Sequence, residues 1–282
     1  MQMSMIYYRQ MEEMLMKYYV VDAFTIEQFK GNPAGVCVLE GAWPSAETMQ
    51  KIAAENRLSE TAFVKRREDG SYDLRYFSPG SEVGLCGHAT LGTSYVLAHF
   101  VDPEAEVFHY HTRDEDVAAH KLPGDRYELD FPAWEEKAVE VDENILAALN
   151  GICPLEALET RDLTCILESE EAVRNFVPDQ EAIDALPDKY LGLLITARGE
   201  NSDFVDRSFF PKLAIPEDPV CGSAKCTLIP LWAKRLGKNE LVGHQLSPRT
   251  GVVYCKHAGK RVKISGNVAL YMAGEINIQE EQ

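Results

Sequence analysis

The chain has 282 residues, a length that corresponds to roughly two domains of about 150 residues each. Its 28 Lys and Arg residues against 45 Asp and Glu residues give a formal net charge of −17. This acidic balance disfavours nucleic acids and anionic membranes as partners, because both attract basic surfaces. A composition of 45% hydrophobic and 26% charged residues is ordinary for a globular protein and excludes wholesale disorder.

The cysteines and the N-terminus indicate the compartment. The chain has seven cysteines, an odd number without CxxC spacing, and this disfavours a secreted disulfide framework. No stretch reaches the roughly 18 uninterrupted apolar residues of a membrane span. Glu12 and Glu13 interrupt the apolar segment that a signal peptide would need. We therefore expect a soluble, cytoplasmic protein with reduced thiols.

Residues 1–17 are predicted to be an N-terminal extension, of which residues 1–15 should add little to the core. Six of the eight methionines lie before residue 17, and the ordered pattern begins at Tyr18. An upstream start codon, with Met16 as the usual first residue, and a short extra helix are the two interpretations that remain open.

After the extension, short strands surround occasional helices. Residues 18–25 predict a strand, and the GNPAG turn at 31–35 leads into a second strand, VCVLE. Ser45 is placed as the N-cap of a helix over 45–56. The following segments predict two alternating strands and an apolar helix: TAFVKRR, YDLRYFSP and GHATLGTSYVLAHFV.

An internal repeat is the most informative feature of the sequence. RYFSP at 75–79 and CGHA at 86–89 precede one apolar helix, whereas RSFFP at 207–211 and CGSA at 221–224 precede another, TLIPLWAKRLG. The two motifs recur at offsets of 132 and 135 residues. The repeat therefore predicts two similar domains.

The predicted domains are residues 18–130 and residues 131–282. Both repeated helices are apolar almost all round, which indicates burial on every side. Pro230 is expected to kink the second helix or to delay its start. Because the chain is rich in short strands, the simplest arrangement wraps a sheet around each helix. The sequence thus predicts an α+β fold of two β-barrel-like domains, each wrapped around a central helix.

Gly87 and Gly222 stand at the starts of the two predicted helices. The first N–H groups of a helix have no intrahelical partner, and the helix dipole adds partial positive charge there. Two such ends facing one another would hold a carboxylate or another small anion. The alternative is that both glycines merely form tight turns.

Two ionisable residues near these features are candidates for acid/base chemistry. Burial of Glu60 at the start of a strand would raise its pKa and suit it to proton transfer near neutral pH. A surface glutamate or a helix cap beside Ser59 is the alternative. For His88, the helix start would lower the imidazole pKa and leave a neutral group that orients a substrate. A histidine that is hydrogen-bonded inside its own turn is the alternative.

Three further residues complete the candidates. Asp218 precedes a proline and either caps the turn or accepts a hydrogen bond from a substrate. Cys86 and Cys221 occupy equivalent positions in the repeat, where helix N-termini lower thiol pKa values and make thiols reactive. Two opposed thiols could remove a proton from one face of a carbon and return one to the other face. Simple packing of two small buried residues is the alternative.

The sequence contains no motif that indicates a cofactor or a metal. Neither a GxGxxG fingerprint nor a phosphate-binding loop occurs. The nearest metal-ligand candidates, His109 and His111, lie in a strand-like stretch and are expected to be exposed. We therefore predict no cofactor and no metal.

Four blocks of the chain resemble the phenazine-biosynthesis PhzF-like family. They run in order from about Tyr18 to the C-terminus: YYVVDAFT…FKGNPAGVCVLE, RLSETAFV, RYFSPGSEVGLCGHATLGTSYVL and EDPVCGSAKCTLIPLWAKRLG. The resemblance implies the diaminopimelate epimerase-like fold, in which two similar β-barrel-like domains each surround a central helix and the active site lies between them.

The resemblance also implies a cofactor-independent isomerase that moves a proton on a small carboxylate-bearing substrate. The acid/base glutamate of the family falls on Glu60, its histidine on His88 and its aspartate on Asp218. Glu60 would remove a proton from an activated C–H bond and return it elsewhere, while His88 and Asp218 orient polar groups of the substrate. Donors to the substrate carboxylate are expected at three positions: Gly87, Gly222 and Ser223.

Two departures from the family pattern keep alternatives open. Lys225 stands where GSAH is common in the family, which puts the local hydrogen bonding in question. Cys86 and Cys221 fall where diaminopimelate epimerases carry catalytic thiols, so a two-thiol amino-acid epimerase or racemase is one alternative. A non-catalytic small-anion-binding protein is another. We favour Glu60 because the four blocks match the isomerases; the substrate and the oligomeric state stay open, with a homodimer as the candidate assembly.

Overall fold

The computed structural model describes residues 11–281, and it describes side chains for residues 15–278. The helices are α1 Ala46–Asn56, α2 Gly87–Phe100, α3 Glu143–Ala148, α4 Glu170–Asn175, α5 Gln180–Asp184 and α6 Lys225–Leu236. The strands are β1 Met11–Ala23, β2 Asn32–Leu39, β3 Glu60–Arg66, β4 Tyr72–Phe77, β5 Glu82–Val83, β6 Val107–His111, β7 Asp116–Leu122, β8 Arg126–Pro132, β9 Lys137–Val139, β10 Glu156–Glu159, β11 Leu163–Ile166, β12 Leu193–Arg198, β13 Phe204–Phe209, β14 Glu240–Gln245, β15 Gly251–Ala258 and β16 Arg261–Glu281. Within residues 11–281, no helix is both long and apolar enough to cross a lipid bilayer.

The first barrel is closed. Its strand order is β1-β2-β3-β4-β6-β7-β8-β16, and β16 pairs back with β1. Helix α2 packs inside against strands from around the barrel, namely β1, β2, β3, β7, β8 and β16. This position explains why α2 is apolar on all sides, since a helix surrounded by a sheet has no face toward water.

The second sheet also wraps around a helix but ends at an edge strand. Its order is β16-β15-β14-β13-β12-β11-β10-β9. Helix α6 packs against β14, β15 and β16, and the indole N–H of Trp232 donates a hydrogen bond of 2.9 Å to the hydroxyl of Thr196 on β12. Buried residues of α2 and α6 belong to one continuous apolar core.

The strand pairings repeat in the two halves, as the sequence repeat predicts. From β1 to β8, skipping β5, successive pairs are antiparallel, parallel, antiparallel, parallel, antiparallel and antiparallel. The pairs from β10 to β16 follow the same series. The prediction of an α+β fold with two similar β-barrel-like domains around central helices is confirmed.

Local predictions for two helices are also met. The hydroxyl of Ser45 accepts a hydrogen bond of 3.0 Å from the Thr48 amide and caps α1. Helix α6 begins three residues after Gly222, whereas α2 begins directly at its equivalent glycine. Pro230 lacks the N–H that would reach the Cys226 carbonyl. That carbonyl instead accepts a 2.9 Å hydrogen bond from the Trp134 amide.

The ends of the chain differ from the sequence prediction. Strand β1 begins at Met11 rather than Tyr18, because β16 is long enough to pair with it throughout, and Met16 is buried. The predicted extension over 1–17 therefore joins the sheet from residue 11, and residues 1–10 lie outside the described part.

The limit predicted between residues 130 and 131 falls within β8, and β16 returns to the first barrel. The domain limits stay a prediction.

Candidate active site

Glu60 and His88 form a buried ion pair. Glu60 opens β3, next to β2 in the first barrel, and His88 lies in the first turn of α2. The Glu60 Oε2 atom is 3.0 Å from His88 Nε2, and the two side chains are 12% and 8% exposed. The site is therefore nearly closed to water, so each charge depends on the other.

This pairing reverses the two pKa directions expected from the sequence. Burial alone would raise the pKa of Glu60, but the charge and hydrogen bond of His88 lower it below the ordinary value. Burial alone would lower the pKa of His88, but Cys86 and Glu60 raise it well above the ordinary value. The expectations of a raised glutamate pKa and a neutral imidazole were wrong, because a sequence does not show a 3.0 Å ion pair.

Cys86 completes the cluster in the first barrel. Its Sγ atom lies 3.4 Å from His88 Nδ1 and within 4.8 Å of a Glu60 carboxylate oxygen. Burial and the Glu60 charge raise the pKa of this thiol, while burial and the charge of Asp218 raise that of Cys221. The expected low pKa values at the helix starts were wrong, because desolvation outweighs the helix dipole at these two buried thiols.

The starts of the two central helices meet. A Cβ added to Gly222 would lie 4.0 Å from the Gly87 Cα, with nothing closer. Neither glycine has a positive φ, so a left-handed turn does not explain them. The first backbone hydrogen bond of α2 runs from the Thr90 amide to the Cys86 carbonyl at 3.0 Å. The amides that precede Thr90 at the helix start therefore have no acceptor within the helix. Both glycines are half-buried, whereas the side chain of the neighbouring His88 is almost completely buried.

Asp218 reaches this site from the second half of the chain. Its Oδ1 atom accepts hydrogen bonds from Asn32 Nδ2 at 2.8 Å and from the Val220 amide at 3.1 Å. Burial raises the Asp218 pKa, with His88 lowering it and Glu60 raising it through their charges. Asn32 lies at the start of β2, so its bond joins the first barrel to the loop before α6.

Ser223 faces a different neighbour. Its hydroxyl accepts a 3.0 Å hydrogen bond from Arg161 and lies 3.4 Å from the Cys221 sulfur. The Arg161 guanidinium also pairs with Asp162 and lies 5.0 Å from the centre of the Trp134 ring. The structure thus brings Glu60, Cys86 and His88 into direct contact and Asp218 close to them, whereas Ser223 contacts the second half of the protein.

At the position where the sequence departs from GSAH, Lys225 forms a buried network of hydrogen bonds. Its ammonium group is fully buried and donates hydrogen bonds to the two Asp206 oxygens at 2.9 and 2.7 Å and to Gln245 Oε1 at 2.9 Å. Gln245 Oε1 also accepts from the Cys221 amide, and Gln245 Nε2 donates to the Asp218 carbonyl. Lys225 therefore fixes the loop that carries Asp218.

Sequence reasoning missed Asn32, Arg161 and the partners of Lys225. Asn32 lies in the GNPAG segment, which was interpreted only as a turn, so its polar side chain was an available signal. Arg161 lies in the polar stretch ETRDLT, where no motif distinguishes it. Asp206 and Gln245 are 19 and 20 residues from Lys225, and only the fold brings them together.

Comparisons with known proteins show which family this chain resembles. The sequence profile of a family described as phenazine biosynthesis-like protein matches residues 21–274. A Pseudomonas aeruginosa protein named an uncharacterized isomerase is 44% identical over 92% of this chain and 98% of its own. A Halalkalibacterium halodurans protein with the same description is 38% identical over 92% of this chain and 97% of its own.

Solved structures extend the comparison. The crystal structure of a PhzF family phenazine biosynthesis protein from Enterococcus faecalis has a TM-score of 0.89 and 46% identity, covering 93% of this chain and 99% of that one. A hydroxyproline epimerase from Agrobacterium vitis, at 12% identity and a TM-score of 0.54 over 97% of this chain and 94% of that one, shares the fold. The resemblance predicted from four sequence blocks is confirmed, and the chain belongs to the phenazine biosynthesis-like PhzF family.

Proposed function

We propose that this chain is a cofactor-independent isomerase that moves a proton on a small carboxylate-bearing substrate, with Glu60 as the acid/base group. The buried 3.0 Å contact between Glu60 and His88, beside the meeting point of the two helix starts, is the observation that carries the proposal. It combines a proton acceptor, an opposite charge and an anion-binding site within one closed region. The isomerase names of the two bacterial relatives support this reaction class.

The ion pair provides a way to activate Glu60. His88 favours the ionised form of Glu60 through its charge and hydrogen bond, while burial acts in the opposite direction. A substrate group that enters between them removes the His88 contact, and the remaining desolvation raises the basicity of Glu60. Glu60 then accepts a proton from an activated C–H bond and returns it to another carbon. The substrate electrons shift as a double bond migrates, so no oxidant is needed.

The other site residues have separate roles. The His88 imidazolium stabilises negative charge that develops on the substrate as Glu60 removes the proton. Asp218, held by Asn32, orients a substrate amine or hydroxyl group. The amides at Gly87 and Gly222 bind the substrate carboxylate at the two helix starts, where partial positive charge accumulates. We assign Ser223 to the same carboxylate, with Arg161 holding its hydroxyl.

The two-thiol epimerase is the second candidate, because Cys86 and Cys221 precede equivalent helix starts. Against it stand the burial of both thiols and their raised pKa values, which favour the unreactive protonated form. Iodoacetamide near neutral pH should therefore label the exposed Cys153 quickly and the two buried thiols slowly. Rapid labelling of Cys86 or Cys221, prevented by a small carboxylate, would favour the epimerase.

Deuterium uptake from D2O tests the proposal directly. The protein is incubated with a panel of amino acids and cyclic unsaturated carboxylic acids, and exchange is followed by NMR or mass spectrometry. We expect exchange into at least one panel compound, together with migration of its double bond. Binding without any exchange across the panel would instead support the non-catalytic anion-binding alternative. The predicted homodimer and cytoplasmic location are separate predictions, which light scattering and cell fractionation can check.

A further inference from the structure

The cluster in the first barrel has the composition of a metal site. Glu60, Cys86 and His88 each offer one ligand atom, and these atoms all lie within 4.8 Å of one another. In the part of the chain that the structure describes, this is the one group of three or more His, Cys, Asp or Glu residues with that geometry. No sequence motif predicts this group, because Glu60 is 26 residues away from Cys86 and the spacing is not that of a known metal-binding motif.

The separations are close to those that a tetrahedral ion requires. Zinc binds sulfur at about 2.3 Å and nitrogen or oxygen at about 2.0–2.2 Å, so its ligand atoms lie roughly 3.3–3.6 Å apart. His88 Nε2 is 3.0 Å from Glu60 Oε2, whereas Cys86 Sγ lies 3.4 Å from His88 Nδ1 and 3.9 Å from His88 Nε2. Because the sulfur is nearer the other ring nitrogen, the imidazole must turn and the thiol must move before all three groups can bind one ion.

We propose that Glu60, Cys86 and His88 bind a zinc ion in competition with the substrate, which makes the site sensitive to free zinc. Thiolate, imidazole and carboxylate form a ligand set that zinc prefers over magnesium or calcium. Three protein ligands leave a fourth position for water. Zinc binding itself follows from the ligand geometry alone, whereas the inhibition rests on the proposed function.

The binding step balances in protons and charge. Cys86 loses its thiol proton, and His88 loses the proton that it shares with Glu60, so zinc entry releases two protons. One thiolate, one carboxylate and a neutral imidazole then offset the two positive charges of zinc. A neutral complex suits the buried position of these side chains, because an unpaired charge there would carry a large desolvation cost.

Direct metal titration tests the site without a substrate. Untagged full-length protein, freed of metal with a chelator, is titrated with Zn2+ against a chromogenic competitor and separately with Co2+. We expect one metal ion per chain and, with Co2+, the near-ultraviolet charge-transfer band of a cobalt–thiolate bond. Cys86→Ala should abolish that band. Cys86→Ala and His88→Gln should each weaken Zn2+ binding by more than about 100-fold, since even outer-shell partners are worth 10–100-fold.

Matched controls use residues outside the cluster. Cys153→Ser and His109→Gln remove an exposed thiol and an exposed imidazole, and both variants should bind Zn2+ like the parent. Thermal melts show whether each variant remains folded. Folded Cys86→Ala protein that binds Zn2+ with unchanged affinity, or stoichiometric binding lost in Cys153→Ser, would overturn the proposal. So would the absence of a cobalt–thiolate band in the parent.

The inhibition is measured on any panel compound that exchanges deuterium. Free Zn2+ at its measured dissociation constant should halve the exchange rate at low substrate concentration, and Mg2+ at the same concentration should not. Zinc that binds at the cluster without slowing exchange would refute competition with the substrate. If no compound exchanges, the isomerase proposal fails, while the metal titration still decides the zinc site.

Discussion

The two barrels share one pattern of strand pairing, but only the first carries Glu60, the carboxylate proposed as the acid/base group. Thr61 pairs with Phe77 in the first barrel, and Leu193 pairs with Phe209 in the second. This register makes Gly192 the equivalent of Glu60. A Cβ at Gly192 would lie 2.3 Å from the Phe210 ring, so the second barrel has no space for a side chain there. The repeat has thus preserved the scaffold, while the carboxylate proposed as the acid/base group is present in only one copy.

The buried polar contacts beneath the helix starts differ in the same way. In the first barrel, the Thr90 hydroxyl forms a neutral 2.7 Å hydrogen bond with Tyr76. At the equivalent position of the second barrel, Lys225 forms its ion pair with Asp206. The first barrel has its charged pair, Glu60 and His88, in the candidate active site, whereas the charged pair of the second barrel fixes the loop that carries Asp218.

The largest expected effect comes from removing the carboxylate that one barrel has and the other lacks. Glu60→Gln keeps the side-chain shape but removes the base, so deuterium exchange should fall by about 10²- to 10⁴-fold. Cys86→Ala and Cys221→Ala should reduce exchange far less. The reverse pattern, with active Glu60→Gln protein and inactive cysteine variants, would establish the two-thiol mechanism.

The next largest effect concerns the stability of the second barrel. Lys225→Met leaves Asp206 charged, buried and unpaired, so we expect the free energy of unfolding to fall by about 3–5 kcal/mol. Thr90→Val at the equivalent position breaks a neutral hydrogen bond and should cost about 1–3 kcal/mol. Denaturant titration measures both. The double variant Lys225→Met/Asp206→Leu should recover most of the loss, and no recovery would contradict the ion-pair explanation.

The repeated arginines provide a smaller contrast. Arg207 is paired with Glu217, donates to the Phe176 carbonyl and is 8% exposed, whereas Arg75 pairs with Glu82 at 31% exposure. Arg207→Ala should lower the free energy of unfolding by about 2–3 kcal/mol. Arg75→Ala should lower it by about 1 kcal/mol or less, because water screens the exposed pair. Equal losses in denaturant titration would show that burial does not distinguish the two pairs.

The smallest effect is the pH dependence of the Glu60–His88 pair. Since the folded Glu60 pKa is lowered, its contribution to stability is lost as pH falls from about 4.3 through the folded value. Since the folded His88 pKa is raised, its contribution is lost as pH rises from about 6.5 through the folded value. Stability curves should show the alkaline loss in the parent and a flatter profile in His88→Gln. Ser223→Ala, at the equivalent helix start, should leave the parent profile unchanged.

The sequence predicted features that depend on local spacing or repetition. The two central helices, the Ser45 cap and the delayed second helix all follow from residues close together in the chain. The sequence did not predict the charge states of Glu60 and His88, because opposing effects of burial and pairing depend on a distance set by the fold. The direction of each pKa shift depends on the distance between the two side chains, and only the folded structure gives that distance.

Long-range partnerships were missed for the same reason. The Lys225 network joins α6, β13 and β14. The hydrogen bond between Asn32 and Asp218 joins residues that are 186 positions apart in the chain. Neither has a recognisable spacing. The early start of β1 at Met11 was also missed, because the strand is completed by a partner at the other end of the chain. Local patterns thus predicted the scaffold better than the contacts that tune its site.

Strand β16 also determines when the first barrel can form during synthesis. Its final stretch closes that barrel by pairing with β1, so that Tyr18 lies opposite Gly274 and Met11 opposite Glu281. The N-terminal strands must therefore leave the ribosome and wait, with one edge unpaired, until almost the whole second half has been translated. Contacts between distant parts of the chain slow folding, and unpaired strand edges promote aggregation. The order of translation thereby makes the barrel that carries Glu60 the last to be completed, although most of its strands are encoded first.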